Sequence, residues 1–148
     1  MPARHRPRAS KIRELERAIA FYTGCLDLEI TERLASFAFL SRGDRHHDLA
    51  LQALGPNAPA PGAGVGLYLV AFEVEDEAAL RSIYRRFPDD VGVSSVDHGI
   101  SKAPYFSDPD GNGVEVYVDT RSGTGERWLG VSQPFDPEEL GDDTSVAN

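Results

Sequence analysis

Glu115 is the residue whose surroundings most demand a chemical explanation. It stands in Val114-Glu115-Val116-Tyr117-Val118, an alternation that reads as a strand. The valines share one face, and Glu115 shares the other with Tyr117. A carboxylate held there is costly if its face is buried and unpaired. Either water reaches it, as on an ordinary amphipathic strand, or a cation sits against it. A metal ion is one such cation, since hard and borderline metals favour carboxylate oxygen. Two neighbouring imidazoles in His46-His47-Asp48 form the strongest local histidine cluster. Their plain reading is a polar strand start.

The elements around these residues alternate regularly. Asp108-Pro109-Asp110-Gly111-Asn112-Gly113 is turn chemistry that leads into the Glu115 strand. Before it come strands over 91–96 and 103–106, and a helix over 76–87 with Asp76 as its N-cap. An apolar strand over 66–75 precedes that helix. The same order occurs earlier. An irregular strand lies over 8–13; Leu15, Ala18, Ile19, Tyr22 and Leu26 then recur at helical spacing and predict a helix over about 14–25. Strands follow over 28–34, 36–41 and 46–54, the last two joined by a turn at Arg42-Gly43-Asp44-Arg45. On the 46–54 strand, His47 is expected to share a face with Leu49 and Leu51.

A Pro/Gly-rich linker over 55–65 separates the halves. The organisation is βαβββ twice, with module 1 over 9–54 and module 2 over 66–120 of a single domain spanning 1–120. In the tail, 121–148, Trp128, Val131, Phe135 and Leu140 are expected to pack irregularly, and the end is expected to be disordered.

Composition narrows the function classes. The chain of 148 residues carries a net charge of −9, which argues against nucleic acid as a partner. Its first 17 residues hold six basic side chains against two acidic ones, so a basic arm precedes an acidic body. No apolar run is long enough to span a bilayer. The single cysteine, Cys25, permits neither an intrachain disulfide nor a CxxC metal site, and a cytoplasmic location is the expectation.

Two βαβββ modules resemble the plan of the vicinal oxygen chelate superfamily, which includes glyoxalase I, bleomycin- and fosfomycin-resistance proteins and extradiol ring-cleavage dioxygenases. Arg13-Glu14-Leu15-Glu16-Arg17-Ala18-Ile19-Ala20-Phe21-Tyr22 is similar to that superfamily's first-helix motif, and Asp108–Glu115 to its last hairpin. His98, Tyr105, Asp108-Pro109, Gly111 and Glu115 follow the order of the extradiol dioxygenase signature, closest to small single-domain relatives of catechol 2,3-dioxygenases; Pro104 departs from it.

The resemblance implies an α+β fold in which paired modules form a cup-shaped mixed sheet. It also implies a homodimer and an oxidoreductase acting on a small catechol-like aromatic. Glu115 would be a ligand of Fe(II), His98 an acid/base and Tyr105 a hydrogen-bond partner of the substrate. Tyr68, Ser101 and Tyr117 are the expected substrate contacts. Read without the resemblance, His98 is equally a loop histidine bonded to nearby backbone, and Tyr105 a core or interface ring.

Two metal histidines should come from the first strand of each module. Leu69 occupies that place in Gly66-Leu67-Tyr68-Leu69-Val70-Ala71-Phe72, and family spacing lands on Pro7 in module 1. A substitute centre would have to draw on His47 and Glu115, joined by His5. The alternative is a metal-independent enzyme, or a binding or resistance protein, that uses the same cup for an aromatic or polyketide-like ligand.

Overall fold

A computed structural model describes residues 8–141. Among these, the chain forms two compact units, each with its own sheet. The first comprises residues up to 66 together with Asp108–Asn112, and the second comprises Leu67–Ser107 and the residues from Gly113 onward.

The first unit is built from β1 (Arg8–Ile12), α1 (Leu15–Leu26), β2 (Glu29–Arg33), β3 (Phe37–Ser41) and β4 (Leu49–Ala53). Its sheet has the order β1-β4-β3-β2, with β1 parallel to β4 and the other pairs antiparallel. Register places Ser10, Ile12, Ala38, Leu40, Leu49 and Leu51 on one face, and all six are buried. The helical spacing of Leu15, Ala18, Ile19, Tyr22, Cys25 and Leu26 gives α1 one buried stripe, and the helix packs on β3 and β4. Burying each large apolar side chain contributes about 1.5–3 kcal/mol. At the sheet edge, every residue of β2 is exposed; Glu29, Glu32 and Arg33 are charges that discourage edge pairing.

Asp108 ties the 108–112 turn to this unit. Its buried carboxylate accepts hydrogen bonds from Tyr22 Oη at 2.7 Å and from the Asp110 and Asn112 backbone N–H groups at 2.9 Å. Asn112 Nδ2 donates both to Asp108 and to the Lys11 carbonyl. Arg13 and Arg17 converge on Asp110 at 3.1 and 2.7 Å.

The second unit repeats the order with β5 (Val70–Val74), α2 (Glu77–Tyr84), β6 (Ser94–Asp97), β7 (Ser101–Ser107) and β8 (Gly113–Asp119), and adds the two-residue β9 (Gln133–Pro134). Its sheet runs β5-β8-β7-β6-β9, so β5–β8–β7–β6 matches β1–β4–β3–β2 position for position. The repeated βαβββ plan read from the sequence is therefore present, and the fold class is α+β. Asp76 caps α2 by accepting from the Ala79 N–H at 2.7 Å, and Leu80 and Ile83 form the buried stripe of that helix. Val114, Val116 and Val118 of β8 and Phe106 of β7 are buried on one face of this sheet.

Two local expectations need correction. The strand expected over 46–54 begins at Leu49, so His47 lies in the preceding loop and shares no strand face with Leu49 and Leu51. The reason is Asp48, whose Oδ2 accepts from the Arg42 N–H at 2.9 Å and from Ser41 Oγ at 3.2 Å and so extends the turn to residue 48. In the tail, where irregular packing is expected of Trp128, Val131, Phe135 and Leu140, Leu140 is buried, but Val131 stays exposed and Trp128 meets the His98 ring while remaining largely exposed.

Candidate functional site

The β7–β8 register sets Tyr105 opposite Glu115. Strand alternation directs both to the face away from the buried valines, with Ser101, Ala103 and Tyr117. The parallel β5 adds Ala71 beside Glu115 and Glu73 beside Tyr117. On this open face Tyr105 Oη donates to Glu115 Oε1 at 3.1 Å, and Tyr117 Oη donates to Glu73 at 3.3 Å. Partial burial, and then the neighbouring Glu115 carboxylate, push the Tyr105 phenol up to about 12, so it stays a protonated donor at neutral pH.

His98 follows β6 directly. Its backbone N–H donates to the Ser101 carbonyl at 2.8 Å, closing a turn in which Gly99 takes φ +81°, a conformation that glycine adopts without Cβ strain. The turn points the imidazole at Tyr105, with Nε2 2.8 Å from Tyr105 Oη. The other ring nitrogen, Nδ1, lies 2.7 Å from Ser132 Oγ. The indole of Trp128 stands edge-on to the imidazole, with ring centres 6.1 Å apart. His98, Tyr105 and Glu115 are thus joined in one hydrogen-bonded chain that Ser132 extends. His98 also lines an open cavity of about 520 Å³ whose walls include Ile100, Arg127, Leu129 and Val131.

The other expected site residues are placed as follows. Tyr68 is exposed and close enough to Tyr105 to contribute to its shift. Ser101 and Tyr117 occupy the open face, Ser101 also supplying the carbonyl that holds the His98 turn. His47 lies in the first unit, its Nδ1 2.8 Å from that of His46, and both rings tilt against Phe39. His46 Nε2 is 2.8 Å from Glu32. His5, like Pro7, falls outside the described residues. Ser132 carries no sequence signal of its own: it sits in an aperiodic stretch where Trp128, Val131 and Phe135, not the serine, mark the region as more than a solvated tail.

An Fe(II) centre of the two-histidine, one-carboxylate kind needs three converging donors. Among the described residues no group of three or more His, Cys, Asp or Glu side chains is arranged to hold a metal. Leu69, one residue ahead of β5, falls on the open face by alternation with Ala71, and a leucine offers no donor. The described donor set does not fit Fe(II).

Residues 12–116 match the Glyoxalase/Bleomycin resistance protein/Dioxygenase superfamily. The chain belongs to this superfamily. Its relatives include the catechol-2,3-dioxygenase of Bacillus subtilis (strain 168), 31% identical over 118 residues. That match covers 78% of this chain and 41% of the relative. Biphenyl-2,3-diol 1,2-dioxygenase 3 of Rhodococcus globerulus is 31% identical over 110 residues, covering 67% of this chain and 54% of its own length. The chain thus spans about half the length, or less, of these curated relatives. A lactoylglutathione lyase of Agrobacterium tumefaciens superposes with TM-score 0.60 at 26% identity, covering 80% of this chain and 96% of the other. A fosfomycin resistance protein of Mesorhizobium loti shares the fold at TM-score 0.57 and 18% identity, over 81% and 95% of the two chains. The superfamily fold is therefore secure, while the relatives carry different chemistries. No helix among the described residues is long and apolar enough to cross a membrane.

Proposed function

We propose that this protein binds a small phenolic or catechol-like aromatic on the open face of its second sheet, and that it does so without iron. The observation that carries this reading is the His98–Tyr105–Glu115 chain on a face where Leu69 stands in place of a metal donor. Tyr105 and Glu115 supply a donor and an acceptor for ligand hydroxyls, while the rings of Tyr68 and Tyr117 and the hydroxyl of Ser101 offer further contacts. Proton transfer at Tyr105 Oη or Glu115 is the acid/base chemistry open to such a ligand. A cytoplasmic homodimer belongs to the same reading; light scattering after gel filtration tests the dimer.

The second reading is extradiol ring cleavage with Fe(II), favoured by 31% identity to a catechol-2,3-dioxygenase. One preparation separates the two. Protein purified anaerobically with Fe(II) supplied is assayed for iron, then for catechol binding and for the yellow ring-cleavage product in air. The metal-independent reading expects iron well below stoichiometric and saturable catechol binding that Glu115→Gln weakens about 10-fold, the loss of one hydrogen bond to a charged group. Stoichiometric iron with yellow product establishes the dioxygenase instead.

A further inference from the structure

We propose that Ser132 is a positioning residue for His98, fixing which ring nitrogen carries the proton and so setting the direction of the whole hydrogen-bonded chain. The inference builds on the reading of the open face as a ligand site.

Strand pairing delivers Ser132 to its place. In β9, Gln133 pairs with Asp97 and Pro134 with Val96. One further step of that antiparallel register brings Ser132 opposite His98. The Phe135 N–H donates to the Ser95 carbonyl and continues the pairing at the other end. On the near side, Trp128 Nε1 donates to the Val131 carbonyl at 3.2 Å, folding the segment so that its indole also meets the His98 ring. Residues 128–132 therefore meet the imidazole twice, through the perpendicular ring contact of Trp128 and through Ser132 at Nδ1.

Hydrogen-bond accounting then fixes the protons. Ionised Glu115 can only accept, so Tyr105 spends its one O–H on Glu115. The Tyr105 oxygen is left to accept from His98, which requires Nε2–H. A neutral imidazole with Nε2–H has a lone pair at Nδ1, and Ser132 Oγ lies 2.7 Å from it with a hydroxyl proton to donate. Every donor points the same way, from Ser132 at the surface through His98 and Tyr105 to Glu115. Without Ser132, Nδ1 loses its side-chain partner, the alternative tautomer becomes accessible, and Tyr105 can turn its proton from Glu115 to His98.

The test reads the tautomer directly. Protein labelled with ¹⁵N-histidine reports both ring nitrogens by long-range ¹H–¹⁵N spectroscopy, and His98→Asn assigns the His98 signals among the four histidines. The wild type is expected to show a protonated Nε2 and an unprotonated Nδ1, Ser132→Ala to lose that preference, and Ser132→Thr to keep it. Catechol affinity should fall about 10-fold in Ser132→Ala, the scale of one lost hydrogen bond, and recover in Ser132→Thr. A protonated Nδ1 in the wild type, or spectra unchanged by Ser132→Ala, overturns the inference. If the tautomer follows Ser132 but catechol does not bind, the positioning role stands and the ligand reading falls. If catechol binds but the tautomer ignores Ser132, the positioning role alone is overturned.

Discussion

Leu69 lies against Gly113 so closely that a Cβ on the glycine would come within 3.2 Å of the leucine Cβ and 2.9 Å of the Tyr68 carbonyl oxygen. This contact marks where β5 and β8 begin to pair, since Val70 is in register with Val114. It puts Leu69 diagonally next to Glu115 on the open face.

That placement makes Leu69→His a direct probe. A histidine there would join Glu115 as the second donor of a chelate. The variant should bind Co(II) or Ni(II) at least about 10-fold more tightly than the parent, followed by cobalt absorption or calorimetry. Adding Glu115→Gln should remove the gain. An unchanged affinity in Leu69→His would mean that residue 69 does not face Glu115.

The same contact predicts the cost of filling Gly113. A methyl group there meets backbone as well as a side chain, and backbone gives way only by shifting a strand. Gly113→Ala should lose about 1–3 kcal/mol, read from the urea midpoint at unchanged slope. Gly43→Ala, with nothing within 4 Å of its added Cβ, is the control and should stay within about 0.5 kcal/mol.

Tyr105 provides a pH signature. Its phenol is raised to about 12 by partial burial first and by the Glu115 charge second. Glu115→Gln removes only the second cause, so the phenol should titrate at lower pH than in the parent while staying above its ordinary 10.0. The difference between each protein and its Tyr105→Phe counterpart in tyrosinate absorbance isolates this one group. A Tyr105 titration unmoved by Glu115→Gln would contradict the 3.1 Å contact.

Much of this architecture is legible in the chain because its signals are local. The period of Leu15, Ala18, Ile19 and Tyr22 marks α1, and the Val/Glu/Val/Tyr/Val alternation marks β8 and the face Glu115 occupies. Asp76 reads correctly as the cap of α2 for the same reason. What escapes the sequence is set by longer reach. Alternation continues through His47, but the Asp48 carboxylate is spent on the turn, so the strand starts two residues later. Ser132 meets His98 through the pairing of β9 with β6, a two-residue strand ending in Pro134 that no propensity announces. The hydrogen-bonded chain was thus half visible. The Tyr105–Glu115 end follows from hairpin register, and the Ser132 end from a contact 34 residues apart.

The 108–112 turn is held by a different device, which predicts how the protein fails in alkali. Tyr22 is buried and gives its hydroxyl to Asp108 at 2.7 Å. Burial first, and the adjacent Asp108 charge second, raise its phenol far above the ordinary 10.0. Below pH 10 the tyrosine is protonated in both folded and unfolded chains, so its contribution is fully present. Above pH 10 the unfolded chain releases the proton and the folded one does not; the unfolded state binds fewer protons, and stability falls with rising pH. Tyr22→Phe should cost about 1.5 kcal/mol at pH 7, near the lower end for a bond to a charged acceptor, because Asp108 keeps its bonds from Asn112 and from the Asp110 N–H. The variant should also lose stability less steeply than the parent between pH 10 and 11.5. Urea midpoints measured across that interval test both parts, and parallel slopes in the two proteins would show that Tyr22 is not the group that resists ionisation.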